Sequence, residues 1–103
     1  MAISNAAVPQ TTPSAIYTST NTTAITNVYF CNYSGSTVTV DVYLVPSGGS
    51  ASNSNIIYKG ISISASNTFV MDTEKLILSN GDTLRASANA ASAVTATVSY
   101  LSV

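Results

Sequence analysis

Histidine is absent from this chain of 103 residues, and Cys31 is its one cysteine. Without histidine the commonest general acid–base group and metal ligand is missing, and neither a Ser–His–Asp nor a Cys–His arrangement can be assembled within one chain. A single cysteine excludes an internal disulfide, a disulfide framework and a cysteine-built zinc site. Charge is equally scarce. Lys, Arg, Asp and Glu make up 7% of the residues, against about 25% in ordinary soluble domains. Three basic residues are too few for the multi-phosphate neutralisation that drives nucleic-acid affinity. No stretch approaches the run of about 18 apolar residues that a membrane-spanning helix needs. Residues 1–10 show neither a basic start nor a long apolar run, so no signal peptide is visible. The chain is therefore expected to be made soluble in a cytoplasm, with no nucleic acid or membrane as partner.

The residues that remain offer little chemistry. Of the carboxylates Asp41, Asp72, Glu74 and Asp82, only Asp72 and Glu74 are close in sequence. Two residues apart on a strand they would share a face. A glycosidase, however, needs its carboxylates to flank a groove, and calcium needs six to eight oxygens. A solvated turn after a strand is the plainer expectation. Cys31 has no basic neighbour in sequence to activate it and is expected to be a small buried or half-buried strand residue. Gly48-Gly49 lacks the lysine and following helix of a nucleotide loop. Asn21-Thr22-Thr23 and Asn32-Tyr33-Ser34 match the glycosylation triplet, and without secretion they read as chance matches in an Asn/Thr/Ser-rich chain. The expectation is no enzyme, no catalytic residue, no metal and no cofactor.

What fills the chain instead is Ser, Thr and Asn, roughly 40 residues in all, in place of the usual charges. A net charge of −1 gives little protection against association, so part of the surface is expected to be covered by other protein. The six tyrosines, Tyr17, Tyr29, Tyr33, Tyr43, Tyr58 and Tyr100, together with Val, Ile and Thr, set the chain apart from disordered polar sequences. Tyrosines cap cores and pair across strands, are enriched at protein interfaces, and can stack on sugars. Tyr43 is expected on an outward face.

Alternation of period two dominates from Ala15 onward. Thr37–Val45 is the cleanest strand, with Val38, Val40, Val42 and Leu44 on one face and Thr37, Thr39, Asp41 and Tyr43 on the other. Val94–Tyr100 repeats it with Val94, Ala96 and Val98 inside. A strand between Thr22 and Asn32 puts Val28 and Phe30 in the core. Tyr29 and Cys31 on its opposite face are also fairly apolar, as suits a strand covered on both sides or meeting a partner. Shorter strands are expected at Ala15–Ser19, Ile56–Ile63, Thr68–Asp72 and Thr83–Ala88, with turns at Tyr33–Ser36, Asn80-Gly81-Asp82 and Asn89–Ser92. Pro46–Asn55 reads as a flexible Gly/Ser-rich loop. Lys59, Lys75 and Arg85 are expected on outward faces or edges, where they discourage aggregation. Pro9 and Pro13 make residues 1–14 read as an extended arm rather than a strand, one that frays or lies across a neighbouring subunit. About seven short strands predict an all-β fold over residues 15–103, a single antiparallel β-sandwich of immunoglobulin-like or jelly-roll-like type.

Three segments carry a resemblance: Ile16-Tyr17-Thr18 through Thr22-Thr23 to Phe30-Cys31-Asn32, then Tyr43–Ser50 (YLVPSGGS), then Leu76–Ala86 (LILSNGDTLRA). With the ending Ala91–Tyr100 (ASAVTATVSY), the chain resembles the small β-sandwich virion proteins of tailed bacteriophages over roughly residues 15–103. The resemblance implies a virion structural protein. The first expectation is a capsid decoration or cement protein that binds the major capsid protein on the outer shell as a homo-oligomer, a trimer among the options. A tail, neck or fibre component is the alternative, and a module that adheres to host glycans through its tyrosines is a further one. The arm at residues 1–14 and the loop at residues 46–55 are the expected contact elements.

Overall fold

The computed structural model describes residues 2–71 and 76–102. The described chain contains nine strands and no helix. They are β1 (Ala2–Val8), β2 (Ser14–Thr18), β3 (Thr23–Asn32), β4 (Val38–Val45), β5 (Ile56–Ile63), β6 (Thr68–Met71), β7 (Leu76–Leu78), β8 (Thr83–Ala88) and β9 (Val94–Ser102). They form two antiparallel sheets. Sheet A runs β1-β9-β3-β6, with β7 also paired to β3, and sheet B runs β2-β8-β4-β5. Because β9 occupies one flank of β3 along its whole length, β6 and β7 lie end to end on the other flank. Counted as one interrupted strand, they give the order of a jelly roll, a double-sheet solution to the edge problem of all-β chains. Of the two expected sandwich types, this is the one found.

The core lies between the sheets. Val28 and Phe30 of β3 and Ala96 and Val98 of β9 face Val40 and Val42 of β4 and Leu84 and Ala86 of β8, all removed from water. These are the inward positions that strict alternation assigns. Where alternation falters in the sequence, the structure has a bulge. Thr26 is an extra residue between the pairs Ile25–Tyr100 and Asn27–Ser99, and its Oγ1 donates to the Ser99 carbonyl at 3.0 Å. Ile16 is likewise extra opposite β8. The bulge turns both Ile16 and Tyr17 toward the core, where Tyr17 lies 4.5 Å from the Tyr100 ring.

Residues 2–8 correct the expected arm. They pair without interruption to β9, from Ala2 opposite Tyr100 to Val8 opposite Val94. Both prolines fall after the strand, so no ladder donor is lost within it. Val8 and Ala6 point inward while Ile3, Asn5 and Ala7 point outward, and the small residues hide the alternation. β7 is the other strand not expected from the sequence.

Polar pins fix the corners. The fully buried Asn32 side chain donates to the Ser36 carbonyl at 2.8 Å and the Ile63 carbonyl at 2.9 Å, and accepts from the Ser34 amide at 3.0 Å. One amide thus ties the β3–β4 turn to the end of β5, which explains why a polar side chain is tolerated there. The Asn80-Gly81-Asp82 turn forms as expected. Gly81 sits at φ 88°, and a Cβ there would come 2.5 Å from Ser47 Oγ.

Candidate interaction surface

The carboxylates within the described residues are occupied in holding backbone. Asp82 accepts from the amides of Ser47 and Ser79, each at 2.9 Å. Asp41 accepts from the Gly60 amide at 2.8 Å and from Lys59 Nζ at 3.3 Å. Gly60, at φ 68°, and Lys59 form the bulge in β5 opposite Asp41. Asp72, Glu74 and Lys75 lie outside the described residues. Among the described residues no three of His, Cys, Asp and Glu stand close enough to share a metal ion. A hollow of about 280 Å³ opens between β5 and the β6–β7 flank, lined by Ile57, Tyr58, Met71 and Leu76. Its described lining is apolar apart from the Tyr58 hydroxyl, and it brings together no pair of groups for acid–base work.

The outer faces of the sheets differ more than any pocket. On sheet B, Thr39, Asp41, Tyr43 and Val45 of β4 alternate outward beside Thr83, Arg85 and Ser87 of β8. Tyr43 takes the outward face expected of it but is only 9% exposed there, and Val45 1%. The β4–β5 loop returns over this end of the sheet, so that a Cβ on Gly49 would lie 3.4 Å from Val45 Cγ1. The loop is knit by its own bonds. Asn55 donates through Nδ2 to the Ser50 carbonyl at 2.9 Å, and its carbonyl accepts from the Leu44 amide at 2.9 Å. Arg85 Nε donates to Thr83 Oγ1 at 3.0 Å along the same face.

Sheet A is the opposite case. None of its five strands contains a charged residue. Its outer face carries Ile3 of β1, Tyr29 of β3, Val70 of β6, Ile77 of β7 and Leu101 of β9, all exposed, with Ile3 at 66% and Ile77 at 61%. Register makes them one surface. Tyr29 stands opposite Val70 on one side and Thr97 on the other, and Ala24 lies between Ile77 and Leu101. Hydroxyls and amides fill the spaces between, as where Thr97 Oγ1 donates to Asn5 Oδ1 at 2.8 Å. Four strand widths by the length of β9 give a face of about 500 Å², apolar and polar positions together.

Cys31 lies on this face, paired with Thr68 and Thr95. It is exposed rather than buried or half-buried as expected, because its odd position in β3 shares the outward direction of Tyr29. Lys59 is exposed and Arg85 half-buried, both on sheet B. Tyr33 is exposed just past β3, whereas Tyr17, Tyr58 and Tyr100 pack partly against the core. Asn32 of the second glycosylation triplet is fully buried, which closes its amide to modification in the folded chain. The uncharged face itself escaped the sequence reading because its members come from five strands. The signal was the outward parity of Val70, Ile77 and Leu101.

Comparisons with protein-family models, with curated proteins and with solved structures return no match to this chain.

Proposed function

We propose that this chain is a non-enzymatic structural component of a tailed-phage virion, a capsid decoration protein that lays the outer face of sheet A on the shell. The observation that carries the proposal is that face: open, free of charge among the described residues, and set with apolar side chains among hydroxyls and amides. Docking it against protein removes Ile3, Tyr29, Val70, Ile77 and Leu101 from water, and the five strands that carry them hold no ion to be stripped of water, the step that most often cancels the gain from burial. The hydroxyls and amides between them supply hydrogen bonds to a partner's polar groups. A contact of this size is modest by itself, and repetition over a shell adds avidity. Jelly rolls recur in viral capsid and lectin domains, which agrees with the resemblance but is fold-level analogy and carries no function alone.

The test is to count and locate the protein in purified particles of the virus that encodes it. Copies in the hundreds, with sheet A turned toward the shell protein, are the expected result. A dozen or fewer copies, or density confined to the tail vertex, removes the decoration reading in favour of a tail, neck or fibre part. Tyr29, whose hydroxyl accepts from Asn27 Nδ2 at 3.4 Å, and Tyr33, four residues further on, are both exposed and give a glycan-binding reading its own foothold. Retention on a host-polysaccharide array, lost in Y29A/Y33A, would support that reading instead.

A further inference from the structure

The four sheet edges are not alike. β5 is guarded by Lys59 and by the bulge at Gly60, pinned by Asp41. β2 is five residues long and broken by the bulge at Ile16. On the far edge of sheet A, β6 and β7 have four and three residues. Short strands, bulges and edge lysines are the usual devices against unwanted strand pairing. β1 has none of them. Its seven residues pair to β9 in unbroken register and include no proline and no charge. Apart from the ladder to β9, no backbone hydrogen bond involves residues 2–8 among the described residues.

We propose that two copies of this chain pair through the free edges of β1, antiparallel and in register about Asn5. A two-fold axis at Asn5 sets Ile3 of each copy opposite Ala7 of the other, large against small, and Asn5 opposite its own equivalent. The Oδ1 of Asn5 already accepts from Thr97, while its Nδ2 has no partner among the described residues and is free to donate across the axis. No charge meets a like charge anywhere along the contact. The pairing joins two copies of sheet A into one continuous sheet. Its outer face doubles to about 1,000 Å², above the roughly 800 Å² per partner of a standard stable interface. An edge dimer therefore turns an undersized docking face into a sufficient one. The pairing itself does not depend on the virion reading and is tested on the isolated chain.

The experiment is light scattering on size-fractionated protein from low to high micromolar concentration, with I3K/A7K and I3K/A7E as variants. In the register proposed, I3K/A7K brings lysine against lysine at both ends of the strand pair, whereas I3K/A7E brings lysine against glutamate. Positions 3 and 7 are exposed and, four residues apart on one strand, about 13 Å from each other, so the two variants differ little within a monomer. The wild type is expected to dimerise, I3K/A7K to weaken dimerisation by at least tenfold, and I3K/A7E to restore it, all three keeping the same circular dichroism spectrum. A wild type that stays monomeric throughout, an I3K/A7K that dimerises as well as the wild type, or an I3K/A7E as weak as I3K/A7K would each overturn the proposal.

Discussion

The two outer faces of the sandwich begin from the same residue types, Thr, Ser, Val and Tyr in alternation, and end in opposite states. One end of sheet B is covered by the chain's own returning loop, which packs against Val45 and is held by the Ser47 amide donating to Asp82. It also carries Asp41, Lys59 and Arg85, the strand-borne charges among the described residues. Among the described residues, sheet A has no covering loop bond to its outward side chains and no charged strand residue. The difference teaches that scarcity of charge here is not uniform. Among the described residues, Asp82 holds a turn and Asp41 with Lys59 holds the bulge on the β5 edge, while the strands of sheet A carry no charge.

The strongest way to break the comparison is to move charge onto sheet A. Val70→Lys sits on the edge strand β6 of this face, opposite Tyr29. Burying an unpaired lysine costs several kcal/mol, so binding to stripped particles should weaken by at least 100-fold, about 2.7 kcal/mol. The melting of the isolated protein should move by no more than about 0.5 kcal/mol. Ser62→Lys, on an exposed position of sheet B, is the matched control and should leave binding intact. Equal losses from both would remove sheet A as the docking face.

The complementary change acts on stability alone. Asp82→Ala deletes the acceptor for the Ser47 and Ser79 amides. Hydrogen bonds to a charged group are worth about 1.5–3 kcal/mol, so urea unfolding should show a loss of about 2 kcal/mol. Docking measured where the variant is still folded should be unchanged. The smallest effect expected is that of salt. Surface ion pairs are screened strongly between 0.1 and 1 M ionic strength, but docking through an uncharged face should shift less than about twofold over that range. A steep decline would point to Lys59, Arg85 and their neighbours instead.

Much of the sandwich was legible because burial imposes a period of two on any strand with one dry face. Val38–Val42 and Val94–Val98 follow it without fault. The failures have local causes. β1 was obscured because its inward residues are mostly small, Ala2, Ser4 and Ala6, and because two prolines stand nearby although not within it. Tyr43 lies on the outward face that its parity gives and is nevertheless buried, since parity says which way a side chain points and not how much of it its neighbours cover. Cys31 was assigned by the habits of free cysteine when its parity with Tyr29 already placed it outside. The open face was only half visible. Tyr29 and Cys31 hinted at it, but the juxtaposition with Val70, Ile77 and Leu101 depends on pairings that a single sequence does not display.

The partnership of β1 with β9 has a temporal consequence. Ala2 must find Tyr100, and Val8 must find Val94, so sheet A cannot close while the ribosome is still making β9. Until then β1 is a tethered, unpaired strand whose search spans almost the whole chain, a contact pattern associated with slow folding. The same open interval leaves both edges of β1 without a partner, so a nascent chain carries an unguarded strand for most of its synthesis.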